Sequence, residues 1–241
     1  MAIAVIQARM SSTRLPGKVL EQLEGRSLLE WVVRAATQSG VCKDIVVATS
    51  TDKSDDPILG EAERLDVNVS RGDMDDVLSR YLDALSGQPD EAVFVRLTAD
   101  CPLLDPHLIA MCVRSFEKAS VDYLSTILSR SLPRGLDVEV STVGALRESD
   151  SLATGYQRAH VTPAIYENPQ RFSLAGISFE PPASDLRVTV DTEDDLEAVT
   201  RIVEILGDSP PPWKDLVGLL RDRPDIASIN AHIVQKDLEE G

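Results

Sequence analysis

Between Arg9 and Lys18 the chain reads RMSSTRLPGK, with three cations, three hydroxyls and no acid. A polyphosphate needs fixed cations together with backbone or hydroxyl donors at close range. Arg9, Arg14 and Lys18 supply the charge. Ser11, Ser12 and Thr13 supply hydroxyls and an easily solvated backbone, and Pro16 and Gly17 shape the turn that presents Lys18. The bland alternative is a solvated basic loop, but this loop follows a buried apolar run, Ala2–Ala8, directly. Two familiar nucleotide motifs are absent. Gly17-Lys18 is followed by Val19, with no glycine five positions before Gly17, so there is no GxxxxGK[ST] loop. The dinucleotide pattern GxGxxG is also missing.

Two aspartates stand at the ends of apolar runs. Asp100 falls just beyond the apolar run EAVFVRL, and Mg2+ favours one or two carboxylates completed by phosphate oxygens and water. Its structural alternative is a turn or cap aspartate, since Pro102 and Asp105-Pro106 mark a loop. Asp191 ends the run LRVTV before Thr192, a pattern that strand–cap–helix grammar also explains. Asp194 and Asp195, in the first helical turn, are accounted for by the helix dipole. Asp73, Asp75 and Asp76 likewise stand at a helix start. Downstream, Arg134 enters an alternating stretch in which Asp137 and Glu139 share one strand face. That face either hydrogen-bonds sugar hydroxyls or is the solvated side of an edge strand. Arg158 and His160, in RAHVTP, offer a cation and an imidazole to an acidic sugar or a leaving phosphate. A lone histidine is more often structural. His107 and His232 have no supporting context, and the three histidines and three cysteines lack zinc spacing.

These residues need a scaffold, and the sequence supplies an alternating one. Strands are predicted at Ala2–Ala8, Asp44–Thr49, Val67–Ser70 and Glu91–Leu97. Helices are predicted at Ser27–Ser39, Asp56–Leu65, Asp75–Leu85 and Pro106–Ala119. This rhythm predicts an α/β fold, a mostly parallel sheet with helices on both faces. Ligands then bind beyond the carboxyl ends of the strands. After residue 120 the rhythm loosens. Leu128–Glu139 reads as a loop entering a short strand, Gly155–Tyr166 as helical, and Phe172–Ile177 and Leu186–Val190 as strands. Thr192–Leu206 is a strong helix. After the breaker SPPP comes a helical segment, so the whole reads as one domain, 1–241, with a C-terminal helical part at about 209–241.

Composition sets outer bounds. The 241 residues carry a formal charge of −16, which repels phosphate backbones at long range and disfavours nucleic acid as a partner. No apolar run approaches a membrane span of ~20 residues. The N-terminus becomes polar too soon for a signal peptide. The three cysteines, Cys42, Cys101 and Cys112, form no CxxC pair. Reduced thiols in a cytoplasmic protein are the expectation.

The stretch IQARMSSTRLPGK resembles the signature of the cytidylyltransferases related to spore coat polysaccharide biosynthesis protein F, themselves relatives of CMP-Kdo synthetase. The likeness continues through RGDMDDVLSRY (71–81), RLTADCPLLDP (96–106), PRGLDVEV (133–140), RAHVTP (158–163) and RVTVDTEDDLE (187–197). It implies a nucleotide-diphospho-sugar transferase, GT-A-like fold. It also implies an Mg2+-dependent enzyme that joins a nucleoside triphosphate, CTP above all, to a sugar or sugar phosphate and releases pyrophosphate. In that reading Asp191 is the second metal carboxylate beside Asp100. The Arg71-Gly72 turn lies beside the base, with Asp76 and Arg80 nearby, and catalysis rests on Arg9, Lys18 and Asp100. RAHVTP carries Ala159 where related proteins often carry an acid. Such synthetases are often homodimers, and Trp213 is placed for an interface or for the core. The rival classes are a glycosyltransferase, which usually carries a DxD motif that Asp100-Cys101-Pro102 does not match, and a binding module without turnover.

Overall fold

Strand β1 (Ala2–Gln7) alternates its side chains between two packed layers. Ala2, Ala4 and Ile6 enter one hydrophobic core and Ile3 and Val5 the other. A strand buried on both faces must carry apolar residues, and this one does from Ala2 to Ile6; only Gln7, at its carboxyl end, is polar and partly exposed. The computed structural model describes residues 1–236. A short antiparallel hairpin, β2 (Gln22–Leu23) and β3 (Arg26–Ser27), follows the phosphate-type loop. It leads into α1 (Leu28–Gln38), whose N-cap Ser27 accepts the Glu30 amide. Then come β4 (Cys42–Ser50), α2 (Asp56–Arg64), β5 (Asn68–Gly72), α3 (Val77–Ala84), β6 (Val93–Thr98) and α4 (Pro106–Ala119).

The second half adds β7 (Tyr123–Ser125), β8 (Glu139–Thr142), α5 (Val143–Asp150), α6 (Tyr156–His160), α7 (Pro163–Tyr166) and β9 (Leu174–Gly176). The long helix α8 (Glu193–Leu206) and then α9 (Trp213–Asp222) and α10 (Pro224–Ala227) complete the described chain. Seven strands form one sheet in the order β5-β4-β1-β6-β8-β7-β9, and β8 alone runs against its neighbours. Residues of α1, α4, α8 and α9 pack in the core under one face, and those of α3, α5 and α7 in the core over the other. The expected mostly parallel, doubly covered sheet is what forms.

Three expectations change. The segment Leu186–Val190 is extended but is no strand. It makes one isolated bridge, Arg134 with Arg187, flanked by Arg134 N–H to Leu186 O (3.1 Å) and Val188 N–H to Arg134 O (2.7 Å). Pairing stops there because the facing chain turns at Gly135, with φ of 101°; a Cβ on Gly135 would stand 2.5 Å from the Thr189 nitrogen. The predicted helix at Gly155–Tyr166 is split into α6 and α7 by Val161, whose φ of 74° no helix accommodates. The Thr162 N–H bonds the His160 carbonyl at 2.9 Å across it, a γ-turn. Finally, β7 and α5 carry too few periodic residues to be read from sequence, and only the tertiary structure reveals them. Of the C-terminal segment at 209–241, α9 and α10 are helical, and residues 237–241 lie outside the described residues. Trp213 packs on the core against Phe179, with ring centroids 5.2 Å apart.

Candidate active site

Because β1 lies between β4 and β6 in parallel register, the loop that leaves it starts at the centre of the sheet's carboxyl edge. The loop is tied down by its backbone. The Met10 N–H donates to Asp55 Oδ1 at 2.7 Å, and the Gly17 N–H to the Met10 carbonyl at 2.8 Å. Asp55 is fully buried and also accepts from Thr49 Oγ1 and from the Ser50 amide and hydroxyl. Gly17 sits at φ 77° and starts the short 3-10 turn Lys18–Leu20, so Lys18 points inward while Arg9 stays exposed.

Lys18 Nζ donates to Asp100 Oδ2 (2.8 Å), Asp191 Oδ1 (2.7 Å) and the Val190 carbonyl (2.8 Å). The two carboxylates come from opposite halves of the chain. Their segments are joined by Val190 N–H to Asp100 O (2.8 Å) and Thr189 Oγ1 to the same carbonyl (3.1 Å). The other oxygen of Asp191 takes Arg14 at 2.9 Å and Arg187 at 2.7 Å. Arg187 in turn forks onto buried Asp195, which also accepts the backbone N–H of Asp191 and of Thr192. Burial opposes the Lys18 charge, but the two carboxylates outweigh it and hold the ammonium above its ordinary value. Burial alone would raise the Asp100 carboxyl; the charge and hydrogen bond of Lys18 reverse this and hold it at about 2.

Around this cluster opens a cleft of about 400 Å3. Its walls include the predicted Arg9, Ser12, Thr13, Arg14, Lys18, Asp100, Asp191, Arg134, Asp137 and His160. Arg9 has no carboxylate partner among the described residues. A smaller recess of about 170 Å3 shares one side of the cleft, walled by Arg96, Arg130, Arg134, Asp137, Glu139, His160, Thr162 and Tyr166. In it Asp137 is paired with Arg130 at 2.7 Å. Glu139 is not on a solvated face. It is buried, bound to Arg96 and Thr162, and takes the Tyr123 hydroxyl at 2.6 Å. Arg134 has no carboxylate partner there, and burial followed by the neighbouring Arg130 pushes its guanidinium below its ordinary value.

Other predicted residues are not brought to the cleft wall. Arg158 is occupied by Asp76 (2.7 Å) and Asp150 (2.9 Å), and Asp76 caps α3 through the Ser79 N–H. Arg71 reaches back to the Ser50 and Asp52 carbonyls and to Asp56, pinning β5 to the loop after β4. Gly72 ends β5, and Ser11 faces outward to touch Met74. Asp195 goes beyond the helix-dipole account, since it fixes Asp191 from behind. Residues that sequence reasoning missed are Asp55, Arg96, Arg130 and Arg187, together with Gln235, which accepts from Arg187 at 2.8 Å. Arg96 and Arg187 were within quoted motifs, so proximity to Asp100 and Asp191 was the available signal. Asp55 had none.

The donor set suits a hard cation. Among the described residues no three His, Cys, Asp or Glu side chains cluster as a metal site. Two carboxylates do converge on one positive charge, the Lys18 ammonium, which marks where a cation is stabilised. A pair of carboxylates, with the rest of the shell from phosphate and water, is the usual protein share of a Mg2+ site.

The cytidylyltransferase sequence profile matches residues 3–210. An uncharacterised protein of Methanocaldococcus jannaschii is 35% identical over 99% of this chain and 98% of its own length. The spore coat polysaccharide biosynthesis protein SpsF of Bacillus subtilis is 31% identical over 93% of this chain and 95% of its own. A solved cytidylyltransferase from Leptospira borgpetersenii superposes with a TM-score of 0.89 at 30% identity, covering 98% of this chain and 99% of that one. CMP:2-keto-3-deoxy-manno-octonic acid synthetase, solved with CTP, shares the fold at TM-score 0.65 and 15% identity, over 84% of this chain and 98% of its own. With the profile spanning most of the sequence and the fold shared along its whole length, this chain belongs to the cytidylyltransferase family.

Proposed function

We propose that the chain transfers a cytidylyl group from CTP to an anionic sugar and releases pyrophosphate, as a step in building a surface polysaccharide. The observation that carries this reading is the Lys18 ammonium held between Asp100 and Asp191 beneath a loop bearing Arg9 and Arg14. An acceptor oxygen attacks the α-phosphorus, the bond to the bridging oxygen breaks, and pyrophosphate leaves with the electron pair. Arg9 and Arg14 flank the triphosphate, and Lys18 neutralises charge that grows in the transition state. Asp100 and Asp191 would hold Mg2+, which when bound screens the phosphate charges and polarises the reacting oxygens. The recess beside the cleft takes the acceptor. Arg134 is its uncompensated cation, so the acceptor bears a carboxylate or a phosphate. The relatives fit this reading: one is named for a spore coat polysaccharide, and a structural neighbour was solved with CTP.

The test is pyrophosphate release from the four ribonucleoside triphosphates with Mg2+ and a panel of acidic sugars. Activity with CTP and an acidic acceptor is expected. Release of free nucleotide from nucleotide sugars instead would indicate a glycosyltransferase. Tight CTP binding without turnover on any acceptor would indicate a binding module. The chain is expected to work in the cytoplasm, without nucleic acid, and as a homodimer, which sedimentation checks; among the described residues no helix is long and apolar enough to cross a membrane.

A further inference from the structure

Past α10 the chain returns to the cleft. Asn230 is buried and donates to the Arg187 carbonyl at 3.2 Å and to Asp195 Oδ1 at 2.8 Å. The Ile233 N–H closes a turn onto the Asn230 carbonyl at 3.0 Å, and His232 lies 3.2 Å from Asp194. Gln235 then accepts from the Arg187 guanidinium, which also holds Asp191. The segment 230–236 is thereby fixed to the same Arg187–Asp195 pair that orients a cleft carboxylate. Two of its side chains reach the cavity walls. Gln235 lines both the cleft and the acceptor recess, whereas Lys236 lines the cleft alone.

Charge bears on what Lys236 does there. Lys18, Arg14 and Arg187 are matched by Asp100, Asp191 and Asp195. Arg96 is matched by Glu139, and Arg130 by Asp137. A nucleoside triphosphate carries more negative charge than one divalent cation cancels, so it calls for cations that no carboxylate already holds. Of the arginines and lysines that line the cleft, Arg9, Arg134 and Lys236 make no ion pair among the described residues. Arg134 also walls the recess, and Arg9 belongs to the loop after β1. Lys236 is exposed, and its flexible stem lets the ammonium follow a ligand.

Position decides which phosphate it meets. The acceptor oxygen attacks from the recess, and in an in-line displacement pyrophosphate leaves on the far side. The α-phosphate therefore stands where recess and cleft adjoin. Gln235 is part of that border, and Lys236 follows it on the cleft side. We propose that Lys236 is a substrate-binding residue that neutralises the α-phosphate, carried to it by the segment docked on Arg187 and Asp195. This rests on the cytidylyltransferase reading above. CMP carries the α-phosphate and inorganic pyrophosphate does not, so the two ligands separate this role from that of the Arg9–Lys18 loop.

The experiment measures affinities for CTP with Mg2+, for CMP and for inorganic pyrophosphate, together with the apo Tm. The proteins are the wild type, Lys236→Ala, Lys236→Arg and Lys43→Ala. Lys43 is exposed near the start of β4, at the edge of the sheet away from the cleft, and controls for net charge. Lys236→Ala should weaken CMP and CTP binding by about tenfold and leave pyrophosphate affinity and the apo Tm unchanged. Lys236→Arg should restore the lost affinity. An unchanged CMP affinity in Lys236→Ala would overturn the proposal. An equal loss for pyrophosphate would make Lys236 a ligand of the leaving group and overturn it as well. So would an equal loss in Lys43→Ala, which would trace the effect to overall charge, or a lower apo Tm in Lys236→Ala, which would show a structural contact. A wild type that binds neither CTP nor CMP would bring down the nucleotide reading itself, and this proposal with it.

Discussion

Lys18 satisfies two carboxylates that would otherwise face each other across a cleft. Each lies within 2.8 Å of the same ammonium. Removing the ammonium acts on both structure and catalysis. Lys18→Met leaves Asp100 without its cation, while Asp191 keeps Arg14 and Arg187. The expected loss is about 2 kcal/mol of stability, less than for a wholly buried pair because Asp100 is partly exposed. The turnover number should fall at least about a hundredfold. Chemical denaturation and pyrophosphate release check the two effects separately. A variant with normal turnover would remove Lys18 from the reaction. Arg9 differs from Lys18 in holding no carboxylate among the described residues, so its loss should cost nucleotide affinity with little cost in stability.

At the scale of elements, the site depends on how the segment before α8 is anchored. Asp195 closes a capping box with Thr192 and holds Arg187, which holds Asp191. Asp195→Asn keeps the shape but leaves the buried Arg187 short of a counter-charge. A loss of about 3 kcal/mol is expected, visible as a lower denaturation midpoint. The same segment is held on its other side by the crossing at Gly135. Gly135→Ala would drive a methyl group into the Thr189 backbone and strain φ at 101°, so a loss of about 3 kcal/mol or more is expected. Gly144→Ala, where the crowding is milder, provides the comparison, with its Cβ 3.0 Å from the Asp90 side chain. Equal midpoints for the two variants would show that the crossing is not rigid. Beside it, the γ-turn at Val161 shapes the neighbouring recess, since it breaks the chain between α6 and α7 where Thr162 meets Glu139.

Across the whole molecule, two hydrophobic cores sandwich the sheet and set the accessibility of every thiol. Cys101 and Cys112 are buried, and burial pushes both thiols up, that of Cys112 to about 12. Cys42 is half-buried. Native titration with a thiol reagent at neutral pH should therefore find one slowly reacting group, and denaturation should reveal all three. Rapid reaction of three thiols in the native protein would contradict the core as described. The parallel strands and their helices were legible in sequence because each is a local pattern: an apolar run of strand length, or a stripe of helical period. The phosphate-type loop was legible for the same reason, its cations and hydroxyls being contiguous. What sequence alone determined is thus the α/β sheet, the loop at its carboxyl edge, and Asp100 and Asp191 as carboxylates at the ends of extended apolar runs. Only the tertiary structure decided that these two meet on Lys18, that Glu139 is buried against Arg96, that Arg158 is taken up by Asp76, and that the Arg80 guanidinium makes no hydrogen bond among the described residues. Each of those depends on pairing between distant segments, and a linear pattern carries no record of which charge finds which.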